Sequence, residues 1–179
     1  GRGAARLPGG REVALSVRGV KSKAGPAVVI SLPDWHKDIY KGGLGVLGMH
    51  PAMAQRLEKL IAAADTAILI SGPPRSGRTS TFHATISLID IFTTDVTTLE
   101  TQTEHELDQV QRHEVDVGSL EAVQKLLPSI LREEPDVIGA DELTDPRVAA
   151  PLLEFAAEGR RLQATTEAGS AAESVEKIL

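Results

Sequence analysis

Apolar and polar positions keep a two-residue rhythm at the start of this chain and a longer one afterwards. Between residues 11 and 20, Val13, Leu15 and Val17 alternate with Glu12, Ala14 and Ser16, the period of a half-buried strand. Residues 21–26 form a basic turn and residues 27–32 a second apolar run, so the two read as a hairpin. Residues 1–10 hold four glycines and read as a flexible lead-in. Residues 33–48, rich in Gly and Pro, read as a linker, with a shift of composition near 41–48. That shift divides the chain into a β-rich unit with its linker, 1–46, and a second unit, 47–179.

In the second unit helical and strand patterns take turns. Met53, Leu57, Leu60, Ile61 and Ala64 fall on one stripe of a helix over residues 51–64. A short apolar run at 66–70 has the character of a buried parallel strand. A helix is expected from Thr79 to about Ile91, a strand at 95–100, and one short strand at 114–117 within a polar stretch. Ser119 is placed to cap a helix reaching Arg132, which Pro128 is expected to kink. Residues 137–140 read as another buried strand. Asp145 followed by Pro146 opens a further helix that Gly159 ends, and 161–165 is the last strand. Strands alternating with crossover helices predict an α/β fold with a mostly parallel sheet covered on both faces.

Composition narrows the function classes. With aromatics at 3% the core must be aliphatic, and there are few rings on which bases could stack. A net charge of −6 also argues against a nucleic-acid backbone as partner. The absence of cysteine excludes disulfides and thiolate metal sites and is compatible with a reducing compartment. No apolar run approaches the ~20 residues of a membrane span, and residues 1–10 lack the apolar centre of a secretion leader. A chain that begins at Gly1 and stops at Leu179 inside a helical pattern reads as a piece of a longer protein.

Two segments carry chemistry. Gly72, Pro73, Pro74, Arg75, Ser76, Gly77, Arg78 and Thr79 follow an apolar strand and precede a helix, and they match G-x-x-x-x-G-K-[ST] except at Arg78. Glycines let successive N–H groups turn inward around phosphate oxygens, and the helix beginning at Thr79 and Ser80 adds its positive end. The Thr79 hydroxyl is the candidate ligand for Mg²⁺. Arg78 is cationic, but its planar fork is longer than a lysine ammonium, so nucleotide binding should survive the change better than hydrolysis. The second segment is the apolar run 137–140 ending in Asp141 and Glu142. Beside a phosphate loop such an acidic strand end holds Mg²⁺ through water and activates an attacking water, with Glu142 as candidate base. The plainer alternative is a solvated loop ahead of the helix at Pro146.

Other residues point to packing or solvation. His36, His50, His83, His105 and His113 show no metal-ligand spacing, and His105 and His113 stand among Glu104, Glu106 and Glu114, a solvated acidic face. Met49 and Met53 read as packing residues, and Trp35 as an anchor in the linker.

With these residues in view, the chain resembles the assembly and secretion ATPases of type II secretion and type IV pili, a bacterial, hexameric, RecA-like P-loop family. The resemblance lies in Leu127 through Asp136, the strand 137–140, Asp141, Glu142 and Asp145, and in Leu47, Gly48, Met49, His50 and Pro51 ahead of the nucleotide domain. The hairpin at 11–32 resembles the last strands of that family's amino-terminal domain. The resemblance implies ATP and Mg²⁺ as cofactors and a homo-hexamer in the parent protein. It also implies partners in an inner-membrane secretion or pilus platform, and a cytoplasmic location peripheral to that membrane, without insertion. It makes Glu100, which remains from an acidic box, a second catalytic carboxylate. The family's histidine box falls on Glu158, Gly159 and Arg160 and on Thr165, Thr166 and Glu167, with neither histidine present. Each change removes a donor expected to stabilise the transferring phosphoryl group, so weak or absent hydrolysis is expected. The alternative is a non-catalytic scaffold or nucleotide-sensing module. A P-loop kinase or GTPase is disfavoured, because no guanine-reading Asn-Lys-x-Asp segment is present.

Overall fold

Alternation in the first residues becomes an antiparallel ladder. The computed structural model describes residues 2–6, 12–22, 25–31, 42–101, 107 and 109–179. Strands β1 (Arg2–Arg6), β2 (Glu12–Ser22) and β3 (Gly25–Ser31) pair in the order β1-β2-β3. The expected hairpin is β2 with β3, in register from Ser16↔Ser31 to Ser22↔Gly25. The expected flexible lead-in is corrected: residues 2–6 form a strand in register with 12–16. Ladder hydrogen bonds along β2 outweigh the entropic cost of ordering a glycine-containing segment. Trp35, His36, Glu104, His105 and Glu106 lie outside the described residues. The chain divides into two units, Gly1–Lys37, which contains this sheet, and Asp38–Leu179.

The second unit begins with α1 (Gly43–Val46) and α2 (Pro51–Ala62). There follow β4 (Ala67–Gly72), α3 (Arg78–Ile86), β5 (Val96–Glu100), β6 (Gln111–Glu114) and α4 (Leu120–Arg132). The unit ends with β7 (Val137–Ala140), α5 (Pro146–Ala157), β8 (Arg161–Glu167) and α6 (Ala171–Ile178). Its five strands are all parallel, in the order β4-β8-β7-β5-β6. Alternate residues of the strands feed two separate cores. Leu99, Ile138, Ala140, Leu162 and Ala164 pack with α4, α5 and Ile178 of α6. Val96 and Val137, with Ile68 and Ile70, pack with Ile61 of α2 and with Phe82 and Ile86 of α3. The sheet is therefore buried on both faces, as its apolar strands require.

Several elements differ from the sequence expectation. Part of the expected linker is helical, because Leu44 of α1 is buried against Ala54 and Ala84. Helix α3 stops at Ile86 rather than near Ile91. There the Ser87 hydroxyl bonds back to the His83 carbonyl, and Asp90 accepts from the Phe92 amide, turning the chain. The short strand lies at 111–114 rather than 114–117, because pairing with β5 sets Thr97 opposite Gln111 and Glu100 opposite Glu114. Helix α4 runs through Pro128 to Arg132, and its buried Val123, Leu127 and Ile130 keep both halves on the sheet.

Gly139 fixes how closely α3 approaches the sheet. A β-carbon there would lie 2.9 Å from the Phe82 ring and 2.9 Å from the Thr98 methyl. Gly139→Ala is therefore expected to destabilise the fold by about 1–3 kcal/mol through overpacking. Urea unfolding reads this as a lower midpoint at unchanged slope; an unchanged midpoint would show that Phe82 gives way freely.

Candidate functional site

The carboxyl ends of parallel strands β4, β8, β7 and β5 gather at one edge of the sheet, where ligand crevices of α/β folds form. At that edge Gly72 closes β4 and the loop turns into α3. A β-carbon on Gly72 would sit 2.5 Å from Ser76 Oγ, so any larger residue there would force the Ser76 side chain to move. Gly77 takes a left-handed φ of +88° and Arg75 one of +64°, and the Ser76 amide donates to the Pro73 carbonyl at 3.2 Å. Pro73, Pro74, Arg75 and Ser76 are exposed, whereas Arg78, Thr79 and Ser80 are half-buried.

The start of α3, like that of the single-turn α1, carries no side-chain cap, unlike the starts of the other four helices. His50, Ser119, Asp145 and Ser170 cap α2, α4, α5 and α6 with a side-chain acceptor. Helix α3 has Gly77 at its cap and no side-chain cap bond. Its first-turn amides, on Arg78, Thr79 and Ser80, have no intrahelical acceptor. An uncapped helix start beneath a glycine cradle is the donor set that a phosphate group satisfies.

Arg78 reaches from the loop's end to the acidic ends of β7 and β8. Its Nη2 lies 3.4 Å from Glu142 Oε1 and 3.7 Å from Glu167 Oε2, while Nη1 is buried without a hydrogen-bond partner among the described residues. Both glutamates are about half exposed, at 49% and 48%. Glu142 follows β7 with φ +58°, and its amide donates to Thr165 Oγ1 at 2.8 Å. The same hydroxyl donates to Asp141 Oδ1 at 2.8 Å. Burial pushes the Asp141 carboxyl upward, against the Thr165 bond, and the charge of Glu142 pushes it the same way.

Glu100 belongs to a different, closed network. Its Oε1 accepts from Thr98 Oγ1 at 2.7 Å and Arg112 Nε at 3.1 Å. Its Oε2 accepts from Arg112 Nη2 at 2.6 Å and His83 Nε2 at 3.2 Å, which puts the imidazole proton on Nε2. Glu100 and His83 are fully buried. Burial alone would push the Glu100 carboxyl up, but the bonds from His83, Arg112 and Thr98 prevail and hold it at about 2, below its ordinary 4.5. This network ties α3, β5 and β6 together.

Sequence reasoning missed His83, Arg112, Thr165 and Glu167 as members of the site. Arg112 stands opposite Thr98 in the β5–β6 register, on the sheet face of Glu100, and that register emerges only once the strands pair. Arg160 lies at the opposite end of β8 from Glu167 and donates to the carbonyls of Glu134 and Pro135 at 2.6 Å. No group of three or more metal-ligating side chains is present among the described residues. Nor is any helix there long and apolar enough to cross a membrane.

Comparison with known proteins places this geometry in context. The family described as "Type II/IV secretion system protein" matches residues 1–179. "Type II secretion system protein E" of Klebsiella pneumoniae is 30% identical over 178 residues, covering 99% of this chain and 35% of that protein. The chain thus spans about a third of the length of such curated relatives. Among solved structures, the Legionella pneumophila ATPase DotB superposes with a TM-score of 0.70 at 17% identity, covering 99% of this chain and 50% of DotB. The pilus retraction motor PilT, determined with bound ADP, gives 0.69 at 20% identity, with 99% and 50% covered. At these identities the structures establish a shared fold.

The Glu100 network has a pH signature. A carboxyl held at about 2 in the fold and at 4.5 when unfolded stabilises the fold fully above pH 4.5 and loses that contribution as pH falls toward 2. Unfolding free energy is expected to decline across that window in the parent chain and to decline less in Glu100→Gln. At neutral pH, Arg112→Ala leaves a buried carboxylate unpaired and is expected to cost about 3–5 kcal/mol in urea unfolding.

Proposed function

We propose that this chain, which belongs to the Type II/IV secretion system protein family, is the nucleotide-binding part of an ATPase serving a type II secretion or type IV pilus machine. It takes ATP with Mg²⁺ at residues 72–80 and turns it over slowly or not at all. The observation that carries this reading is the uncapped start of α3 beneath the Gly72–Gly77 cradle, at the sheet edge where Glu142 follows β7. Gly72 and Gly77 shape the loop, the amides of Arg78, Thr79 and Ser80 receive phosphate oxygens, and Glu142 orients the attacking water. Thr79 is the residue that would hold Mg²⁺, which would supply charge neutralisation for phosphoryl transfer. Glu100, with every donor around it engaged, serves as an internal anion that fixes α3 to the sheet rather than as a proton acceptor.

Slow turnover follows from two features. The residue proposed to orient water, Glu142, is drawn toward Arg78, and Glu167 stands where the family carries a histidine. The same contacts favour a second reading, a nucleotide-sensing module that binds without hydrolysing. In the parent protein, residues 1–46 end an amino-terminal domain and residues 47–179 begin the nucleotide domain of a homo-hexamer. That hexamer docks on an inner-membrane platform from the cytoplasmic side.

Isothermal titration with MgATP and a phosphate-release assay test the proposal. Saturable binding is expected, with turnover below the ~1 s⁻¹ at the lower end of ordinary enzymes. Gly77→Val should abolish binding. Glu142→Gln should keep it while lowering residual turnover about 100-fold, the scale of a lost general base. Binding with no turnover at all selects the sensing module, and no saturable binding refutes both readings.

A further inference from the structure

We infer that Glu167 is a positioning residue of the nucleotide site: together with Glu142 it tethers the Arg78 guanidinium to the acidic strand ends beside the phosphate loop, and Arg78 exchanges these carboxylates for phosphate when nucleotide enters. This rests on the nucleotide reading of residues 72–80 and adds to it a residue on a different strand.

The placement of Glu167 is a consequence of strand order. Strands β4 and β8 are neighbours, and Glu167 is the register partner of Gly72, the first glycine of the loop. The Ala168 amide donates to the Gly72 carbonyl at 3.3 Å, which fastens the end of β8 to the start of the loop. A carboxylate is thus held beside a cradle built for anions. Its neutralising partner is Arg78, the first residue of α3.

The two arginine–carboxylate arrangements in this domain differ in kind. Arg112 grips Glu100 at 2.6 and 3.1 Å in a buried pair. Arg78 stands at 3.4 and 3.7 Å from half-exposed glutamates, longer than the ~2.7–2.9 Å of a charge-assisted hydrogen bond. Arg78 Nη1, buried and without a partner among the described residues, has a donor to spare. A loosely tethered guanidinium with an unused donor, one residue past Gly77, is poised to turn to a phosphate oxygen. The arginine fork places donors on separate nitrogens, so Nη1 is available to a phosphate oxygen while Nη2 faces the glutamates.

A double-mutant cycle on MgATP affinity tests the inference, with Glu167→Gln made in the parent chain and in an Arg78→Gln background. If Glu167 acts through Arg78, Glu167→Gln tightens MgATP binding more in the parent chain than in the Arg78→Gln chain. The excess should be about two- to fivefold, the range of a partly exposed ion pair. Equal tightening in both backgrounds means that Glu167 merely repels phosphate through space, and no tightening means that it does not restrain Arg78; either result overturns the inference while leaving the nucleotide reading intact. Absence of MgATP binding by the parent chain and by Glu167→Gln alike overturns the nucleotide reading, and this inference with it.

Discussion

The contact between Phe82 of α3 and the bare backbone of Gly139 on β7 sets the distance between the loop helix and the sheet. Because no side chain intervenes at Gly139, α3 lies close over the face that carries Thr98, Glu100 and Thr165. That closeness brings His83 within hydrogen-bond reach of Glu100 on β5. It also lets Arg78, at the start of the same helix, reach Glu142 after β7 and Glu167 at the end of β8. Were α3 lifted by one methyl group, both contacts would lengthen together, so the acidic strand ends and the phosphate loop are registered through one packing contact.

Charge is then divided between an inner and an outer layer. The inner layer, Glu100 with Arg112, His83 and Thr98, is buried and saturated, and its geometry leaves no acceptor for a proton in transit. Its consequence is mechanical: a buried ion pair with every lone pair engaged cannot shift without exposing an unpaired charge. The outer layer, Arg78 with Glu142 and Glu167, is longer, partly solvated and incompletely bonded, which is the condition for an exchange of partners. Asp141 stands between the two layers, its carboxyl raised by burial and held by Thr165. One edge of the sheet thus combines a rigid anchor with a movable cation.

In this light the departures from the family pattern form a set. An arginine at 78 and a glutamate at 167 are brought together because β4 and β8 are adjacent, and Glu142 shares the same guanidinium. The helix start that follows the loop is left uncapped while four other helices carry a side-chain cap. The loop keeps its glycine-dependent backbone geometry at Gly72 and Gly77, and the departures fall on side chains.

The sequence by itself determined what short-range physics controls. The loop from Gly72 to Thr79, the strand at 137–140, and the caps at Ser119 and Asp145 follow from local periodicity and from residues whose backbone preferences act within a few positions. The same local logic failed where pairing between distant segments decides. Residues 2–6 became a strand because β2 had a ladder to offer, and β6 moved three residues earlier because β5 fixed its register. Only the tertiary structure decided that Glu100 would meet Arg112 and His83, and that Arg78 would turn to Glu142 and Glu167. Those meetings depend on which strands lie side by side and how near α3 approaches them, and the spacing of residues along a chain does not encode the order of strands in a sheet.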